Sequence, residues 1–193
     1  MHFQEVSKVK QLRFVTNHQD HLIALLAALA ITIHILESAF PSPLPGIKPG
    51  LSNVITLFAF LVYGWKTALQ VSLLRVVIGS LLLGTFLSPG FILSLSGAIF
   101  SLCSLMLMQW LFYVLKLYHY QPGAIGYAIV ASIAHMSGQF LVAWYFFIPH
   151  PGLFKLLPLF ITFAVLLGIV SGIITQSLIN QQNLYTKNTH NVS

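Results

Sequence analysis

Charged residues are scarce in this sequence of 193 residues: they make up 6% of it, against 57% hydrophobic residues, and the mean hydropathy is +0.87. A soluble domain carries about 25% charged residues. So little charge excludes a soluble globular domain and indicates an integral membrane protein. The net charge of +6 is spread along the chain instead of forming one basic patch, which argues against a nucleic-acid partner.

Acidic residues and cysteines are rarer still, and their scarcity excludes several kinds of chemistry. The three acidic residues are Glu5, Asp20 and Glu37, so no paired carboxylates are available for acid–base catalysis. The single cysteine, Cys103, excludes an intrachain disulfide and a multi-cysteine metal site. No GxxxxGK[ST] loop occurs, so the chain does not bind nucleotide phosphates in the P-loop manner. We therefore predict a protein that is not an enzyme and that has no catalytic residue, cofactor or metal.

Long apolar runs dominate what remains. They are continuous, as in membrane helices. The strands of a membrane barrel would instead alternate apolar and polar residues. The second run is short for a crossing of about 20 residues, and it follows the proline-rich stretch PSPLPGIKPG. The pattern predicts an all-α, polytopic membrane bundle of six transmembrane helices, at about His21–Phe40, Leu51–Tyr63, Thr67–Phe86, Phe91–Leu115, Ala124–Phe147 and Leu153–Ile179.

The same runs divide the chain into three parts: a cytoplasmic leader (1–20), a six-helix transmembrane domain (21–179) and a disordered cytoplasmic tail (180–193). Six crossings place both termini on one side of the membrane. Segments assigned to the cytoplasm carry Lys8, Lys10, Arg13, Lys66, Lys116 and Lys187, whereas the outer loops carry Lys48 and Lys155. This bias follows the positive-inside rule and predicts an inner (cytoplasmic) membrane protein with both termini cytoplasmic.

The third run, TALQVSLLRVVIGSLLLGTF, places Arg75 near the middle of the membrane. Leaving a guanidinium there costs at least about 2.5–3.5 kcal/mol, and the group does not lose its charge. Arg75 must therefore face the protein interior, with a partner, a ligand or water beside it. Two interpretations stay open: an ion pair that only fixes helix packing, or part of a site that recognises an anion.

Other polar residues fall at similar depths in the predicted helices. Glu37 is the only acidic residue of the membrane region and is therefore the obvious counter-charge for Arg75. Asn53, His135 and Gln139 could supply hydrogen bonds. A metal site made of His34, Glu37 and His135 has suitable side chains, but the two helices that carry them need not meet. A buried, hydrogen-bonded cluster without a ligand stays open beside a ligand site.

Three stretches carry a resemblance to a known family: LESAFPSPLPGIKPGLSNVITLFAFLVYGWKTAL, LLRVVIGSLLLGTFLSPGFILSLSGAIFS and AHMSGQ. They resemble the Gx transporter family, also labelled heptaprenyl diphosphate synthase component I, over about Leu22–Ile179. The family usually has Ala-His-Asn where this chain has Ala134, His135 and Met136. It is similar to the S components of energy-coupling-factor vitamin transporters, which implies an S-component-like bundle whose first helix contacts a partner helix through Ala24 and Ala28.

The resemblance implies a membrane protein that captures a small anionic or amphipathic molecule, vitamin-like or isoprenoid-like, from the outer side. Its expected partners are that small molecule, membrane lipid and an ATP-driven transporter module. The alternative is a non-catalytic membrane component of a polyprenyl diphosphate synthase, which would need a soluble, Asp-rich subunit to bind Mg²⁺. A scaffold without a ligand is a third possibility. The substrate-binding residues predicted for the first case are Arg75, Glu37, Asn53, His135, Gln139 and Lys48.

Overall fold

The computed structural model describes residues 18–39, 52–116 and 122–190, and nearly all of them are helical. A π-helical turn, Ala143–Phe147, closes the fifth helix, and a 3-10 turn, Pro151–Leu156, leads into the sixth. The predicted all-α fold is confirmed. The six helices are α1 (His18–Ala39), α2 (Ser52–Tyr63), α3 (Trp65–Leu82), α4 (Pro89–Val114), α5 (Ala124–Val142) and α6 (Leu157–His190).

Five of these helices are long and apolar enough to cross a membrane, whereas α2 has 12 residues. Large apolar side chains point outward along the bundle, among them Leu29 on α1, Leu107 on α4 and Leu166 on α6. A surface of this kind is stable against hydrocarbon but not against water. The chain is therefore a multi-pass membrane protein.

Neighbouring helices alternate in direction, so the bundle has two ends. Gly79, late in α3, lies against His34, late in α1. At the other end, the Gln182 amide of α6 donates a hydrogen bond of 3.0 Å to the Tyr63 hydroxyl at the end of α2. We call these the Ala39 end, where α1 and α3 finish and α4 begins, and the Tyr63 end.

Local sequence fixes the turn between α3 and α4. Gly84 takes a positive φ of 67°, which L side chains rarely adopt, and α3 stops just before it. The Ser88 side chain then accepts a hydrogen bond of 3.3 Å from the Phe91 amide, and Pro89 occupies the first turn of α4. Both are typical helix N-terminal features.

Small residues let α5 and α6 pack closely. A Cβ placed on Gly172 would lie 2.5 Å from the Ile125 Cα, and one on Gly168 would lie 2.9 Å from the Ile129 Cα. These two glycines form a GxxxG pattern on α6, which allows two helix backbones to approach. Close packing of this pair fixes the wall of the bundle that faces α2.

An apolar core fills the Tyr63 half of the bundle. Leu105, Val71 and Ala68 are almost completely buried there, together with Phe60 and Tyr127. Buried polar side chains and a smaller apolar cluster share the interior nearer the Ala39 end. The core therefore closes the bundle below the polar region.

The limits of α6 differ from the prediction. The sixth helix was expected to end at Ile179 and to be followed by a disordered tail (180–193), but α6 continues to His190. Residues 173–190 contain no proline or glycine to stop a helix. The Gln176 amide also donates to the Asn180 side chain at 3.1 Å, one turn further on. Of the predicted leader (1–20), the structure describes His18–Asp20, which begin α1.

Candidate functional site

Arg75 lies inside the bundle, with 4% of its surface exposed. Its Nη1 donates a hydrogen bond of 2.5 Å to Oδ1 of Asn53. The bond links α3 to the start of α2. Because Asn53 carries no charge, this bond orients the guanidinium without neutralising it.

Glu37 is also buried, with 6% of its surface exposed, and it lies near the end of α1. Its carboxylate attracts the Arg75 guanidinium electrostatically. The structure thus places the one acidic residue of the membrane region within electrostatic reach of the buried cation, and a role of the two residues in binding a ligand stays a prediction. In a medium of low polarity this attraction lowers the cost of burying both groups.

A cavity opens beside Arg75, between α2, α3, α4, α5 and α6. Its space totals about 400 Å³ with its open part included, and its enclosed part has room for water molecules, not for a vitamin-sized ligand. Binding of a larger molecule would therefore require the helices to move apart. The cavity is lined by Asn53, Thr56, Leu57, Ser72, Arg75, Ala98, Ser101, Leu102, Leu105, Ala128, Ala131, Ser132 and Ser171.

The polar side chains of α2 and α3 line this cavity in two layers. Asn53 and Thr56 are three residues apart on α2, as Ser72 and Arg75 are on α3, so each pair shares a helix face. Because α2 and α3 run in opposite directions, Thr56 and Ser72 form a layer one turn below the Asn53–Arg75 bond. Thr56 and Ser72 were not among the residues predicted from the sequence, although the sequence shows their spacing from Asn53 and Arg75.

Hydroxyl groups elsewhere in the bundle donate to their own helices. Thr175 donates to the Ser171 carbonyl at 2.8 Å, and Ser96 donates to the Leu93 carbonyl at 2.8 Å. The hydroxyls of Thr56 and Ser72 are buried and have no hydrogen-bond partner in the protein. Buried polar groups normally have partners, so these two are available to whatever enters the cavity.

His135 lies close to this region but does not line the cavity. Its imidazole packs over Gly97 of α4, where a Cβ would lie 2.6 Å from the His135 Cε1. The ring hydrogen-bonds the Gly97 backbone and interacts electrostatically with Arg75, while its Nδ1 makes no hydrogen bond. Gln139, one turn further along α5, is partly buried and is also not part of the lining.

The remaining predicted residues lie away from the cavity or outside the description. Ala24 and Ala28 are exposed on α1, whereas Ala27 and Ala30 face the bundle. Contact of Ala24 and Ala28 with a partner helix stays a prediction. Lys48 and the proline-rich stretch fall outside the described residues. Within residues 18–39, 52–116 and 122–190, no three His, Cys, Asp or Glu side chains are placed to hold a metal ion.

This arrangement can bind and orient a polar ligand. It offers a positive group with a buried environment, where charge-assisted hydrogen bonds are strong, and it offers neutral hydroxyls below that group. The same geometry supplies no paired carboxylates for proton transfer among the residues that line the cavity.

A family model described as heptaprenyl diphosphate synthase component I matches residues 26–178. No curated protein and no solved structure matches the chain.

Proposed function

The chain belongs to the heptaprenyl diphosphate synthase component I family, and we propose that it is a membrane protein that binds a small anionic or amphipathic molecule beside Arg75. In this proposal it acts like an S component, delivering its ligand to a transport module in the inner membrane. Arg75 supplies the positive charge and Asn53 holds its orientation. Energy comes from an ATP-driven partner that docks on α1 at Ala24 and Ala28.

One observation carries the proposal: the buried guanidinium borders a cavity whose mostly apolar wall includes several polar side chains. An Arg75 that only fixed helix packing would be surrounded by closely packed atoms, as a ligand-free scaffold requires. Instead, Arg75 lines a cavity together with Asn53 and five hydroxyl-bearing residues. Sites for small molecules commonly combine a concave, mostly apolar wall with a few oriented polar groups.

In this proposal Glu37 sets the affinity of the site for anions. Its attraction for Arg75 stabilises the cation when no anion is bound, and it competes with an incoming anion. The Glu37→Gln variant should therefore bind anions more tightly than the wild type. A route for the ligand leads from the Ala39 end, because the apolar core closes the Tyr63 half. The loop at 85–90 would border that entrance, and a role of Lys48 in binding stays a prediction.

The test is retention of small molecules by the purified protein. Wild type, Arg75→Gln and Lys155→Gln would be purified in mild detergent, and bound species identified by mass spectrometry. Lys155 is a matched control, because it is an exposed cation outside the cavity. We expect an anionic species on the wild type and on Lys155→Gln, and its loss from Arg75→Gln. Equal retention by Arg75→Gln, or no retained anion on the wild type, would remove the proposal.

The family description favours a second candidate, a non-catalytic membrane component of a polyprenyl diphosphate synthase. Ionising an allylic diphosphate needs Mg²⁺ held by clustered carboxylates, and this chain has three acidic residues. A separate soluble subunit would have to supply them. This candidate predicts that an Asp-rich subunit co-purifies with the chain and that deleting the chain changes the length of the prenyl products.

A further inference from the structure

The layer formed by Thr56 and Ser72 restricts which ligands the cavity can hold. On the basis of the proposed binding function, we infer that the cavity selects a small, singly charged carboxylate that carries hydroxyl or carbonyl groups, in preference to a diphosphate or a prenyl chain. The two hydroxyls and the single guanidinium each carry part of this inference.

Charge limits the number of negative groups that the cavity can balance. Arg75 is the one charged side chain among the described residues that line it, and Glu37 already offsets part of that charge. One guanidinium matches one carboxylate in charge and in geometry, and a ligand carboxylate has to compete with Glu37 for it. A diphosphate carries several negative charges, and those in excess would be buried without compensation.

The hydroxyls exclude an apolar ligand. Thr56 and Ser72 have 6% and 1% of their surfaces exposed, and neither hydroxyl has a hydrogen-bond partner in the protein. A prenyl chain in the cavity would keep water away from both groups and leave them unsatisfied, which is costly. A ligand with its own hydroxyl or carbonyl would satisfy them. Further hydroxyl-bearing residues face the same space from α4, α5 and α6, at Ser101, Ser132 and Ser171.

The spacing of the two layers sets the separation between the carboxylate and the hydroxyl of the ligand. The helices around the cavity must move apart to admit it, because the enclosed part has room only for water. Residues three apart on a helix differ by about 4.5 Å along the axis, which is the separation expected between the layer with Arg75 and the layer with Ser72. A carboxylate bound at the first layer therefore places a hydroxyl two or three bonds away at the second. Leu57 and Leu105 also line the cavity and provide its apolar walls.

Three probes of known chemistry test the inference: glycerate, propionate and pyrophosphate. Glycerate and propionate are carboxylates with the same number of carbons, and only glycerate carries hydroxyls. Each probe would be titrated into the full chain in nanodiscs at matched ionic strength, with apparent affinity measured from the shift in unfolding temperature. We expect glycerate to bind about tenfold more tightly than propionate, from two additional hydrogen bonds, and pyrophosphate to bind more weakly than either.

Variants connect this selectivity to the hydroxyl layer. Thr56→Val with Ser72→Ala should reduce glycerate to the affinity of propionate, and Arg75→Gln should abolish the effect of both probes. Thr175→Val is the matched control, because its buried hydroxyl bonds within α6 and not to the cavity. It should leave the ratio between the two probes unchanged. The wild-type ratio alone decides the inference if the double variant fails to fold.

The outcomes separate this inference from the proposed function. If propionate or pyrophosphate binds as tightly as glycerate, and the binding depends on Arg75, the anion site stands and the selectivity for hydroxylated carboxylates is wrong. If no probe shows an effect that depends on Arg75, both the inference and the proposed function fail.

Discussion

Replacing Asn53 with leucine removes the amide oxygen that accepts the hydrogen bond from Arg75 Nη1. Leucine has a similar size, so the main loss is the acceptor. Hydrogen bonds that involve a charged group contribute about 1.5–3 kcal/mol. Hydrogen bonds between side chains in membrane proteins contribute about 0.6 kcal/mol on average. The bond to the buried guanidinium should lie in the higher range, because its donor is charged and 4% exposed.

A double-mutant cycle isolates the contribution of the hydrogen bond between Asn53 and Arg75 to stability. Arg75→Met alone also removes the attraction between Arg75 and Glu37, so its single cost overstates the Asn53 bond. The cycle of Asn53→Leu, Arg75→Met and the double variant cancels that contribution. We expect a coupling free energy of about 2 kcal/mol, with the double variant less destabilised than the sum of the single variants.

Unfolding free energies would be measured in bicelles, by steric trapping or by SDS titration. The control cycle pairs Arg75→Met with Thr162→Val, whose exposed hydroxyl bonds to the Pro158 carbonyl on α6. That pair should be additive. A coupling free energy at or below about 0.6 kcal/mol for Asn53 and Arg75 would refute the reasoning, because Asn53 would then not be the residue that holds the guanidinium.

Three further predictions concern packing and exposure. Gly172→Val should lower the free energy of unfolding by about 1–3 kcal/mol, because a Cβ there would lie 2.5 Å from the α5 backbone. Gly90→Ala is the control and should leave the free energy of unfolding unchanged, because the nearest atom to its Cβ would lie at 3.6 Å. Gly97→Ala should force the His135 ring to move, and His135→Ala should restore part of the lost stability; independent, additive effects would contradict the close contact. Cys103 is exposed on α4, in a segment that is apolar enough to cross a membrane. In intact membranes it should therefore resist both a membrane-permeant maleimide and a charged thiosulfonate, because the reacting thiolate forms only in water, and it should react once SDS unfolds the protein; fast reaction in intact membranes would place Cys103 in water.

The predictions about the helices succeeded where hydropathy alone decides the outcome. Runs of apolar residues located all six helices, because a membrane helix must shield its backbone with apolar side chains. The end of α6 was missed, because hydropathy falls after Ile179 while helix-forming residues continue to His190. The π-helical turn at Ala143–Phe147 was also missed, because nothing in an apolar aromatic run distinguishes it from α-helix.

The candidate site was predicted in part. A lone arginine within an apolar run must face the protein interior and needs a polar or charged partner there. Arg75 and its counter-charge Glu37 could therefore be named from the sequence. The contribution of Thr56 and Ser72 could not, because a hydroxyl in a membrane helix usually bonds to its own backbone, as Thr175 does. Only the arrangement of α2 against α3 shows that these two do otherwise.

The sequence by itself determined that this chain is a helical membrane protein and that a permanent charge is buried within it. Composition and hydropathy can be read along the chain without knowing how the helices pack. Which groups meet that charge depended on helix directions and on how closely the helices pack. The close approach of α5 to α6 and the facing of Asn53 to Arg75 are properties of the assembled bundle. Tertiary structure therefore determined where the cavity lies and which residues line it, because the cavity is a space between helices.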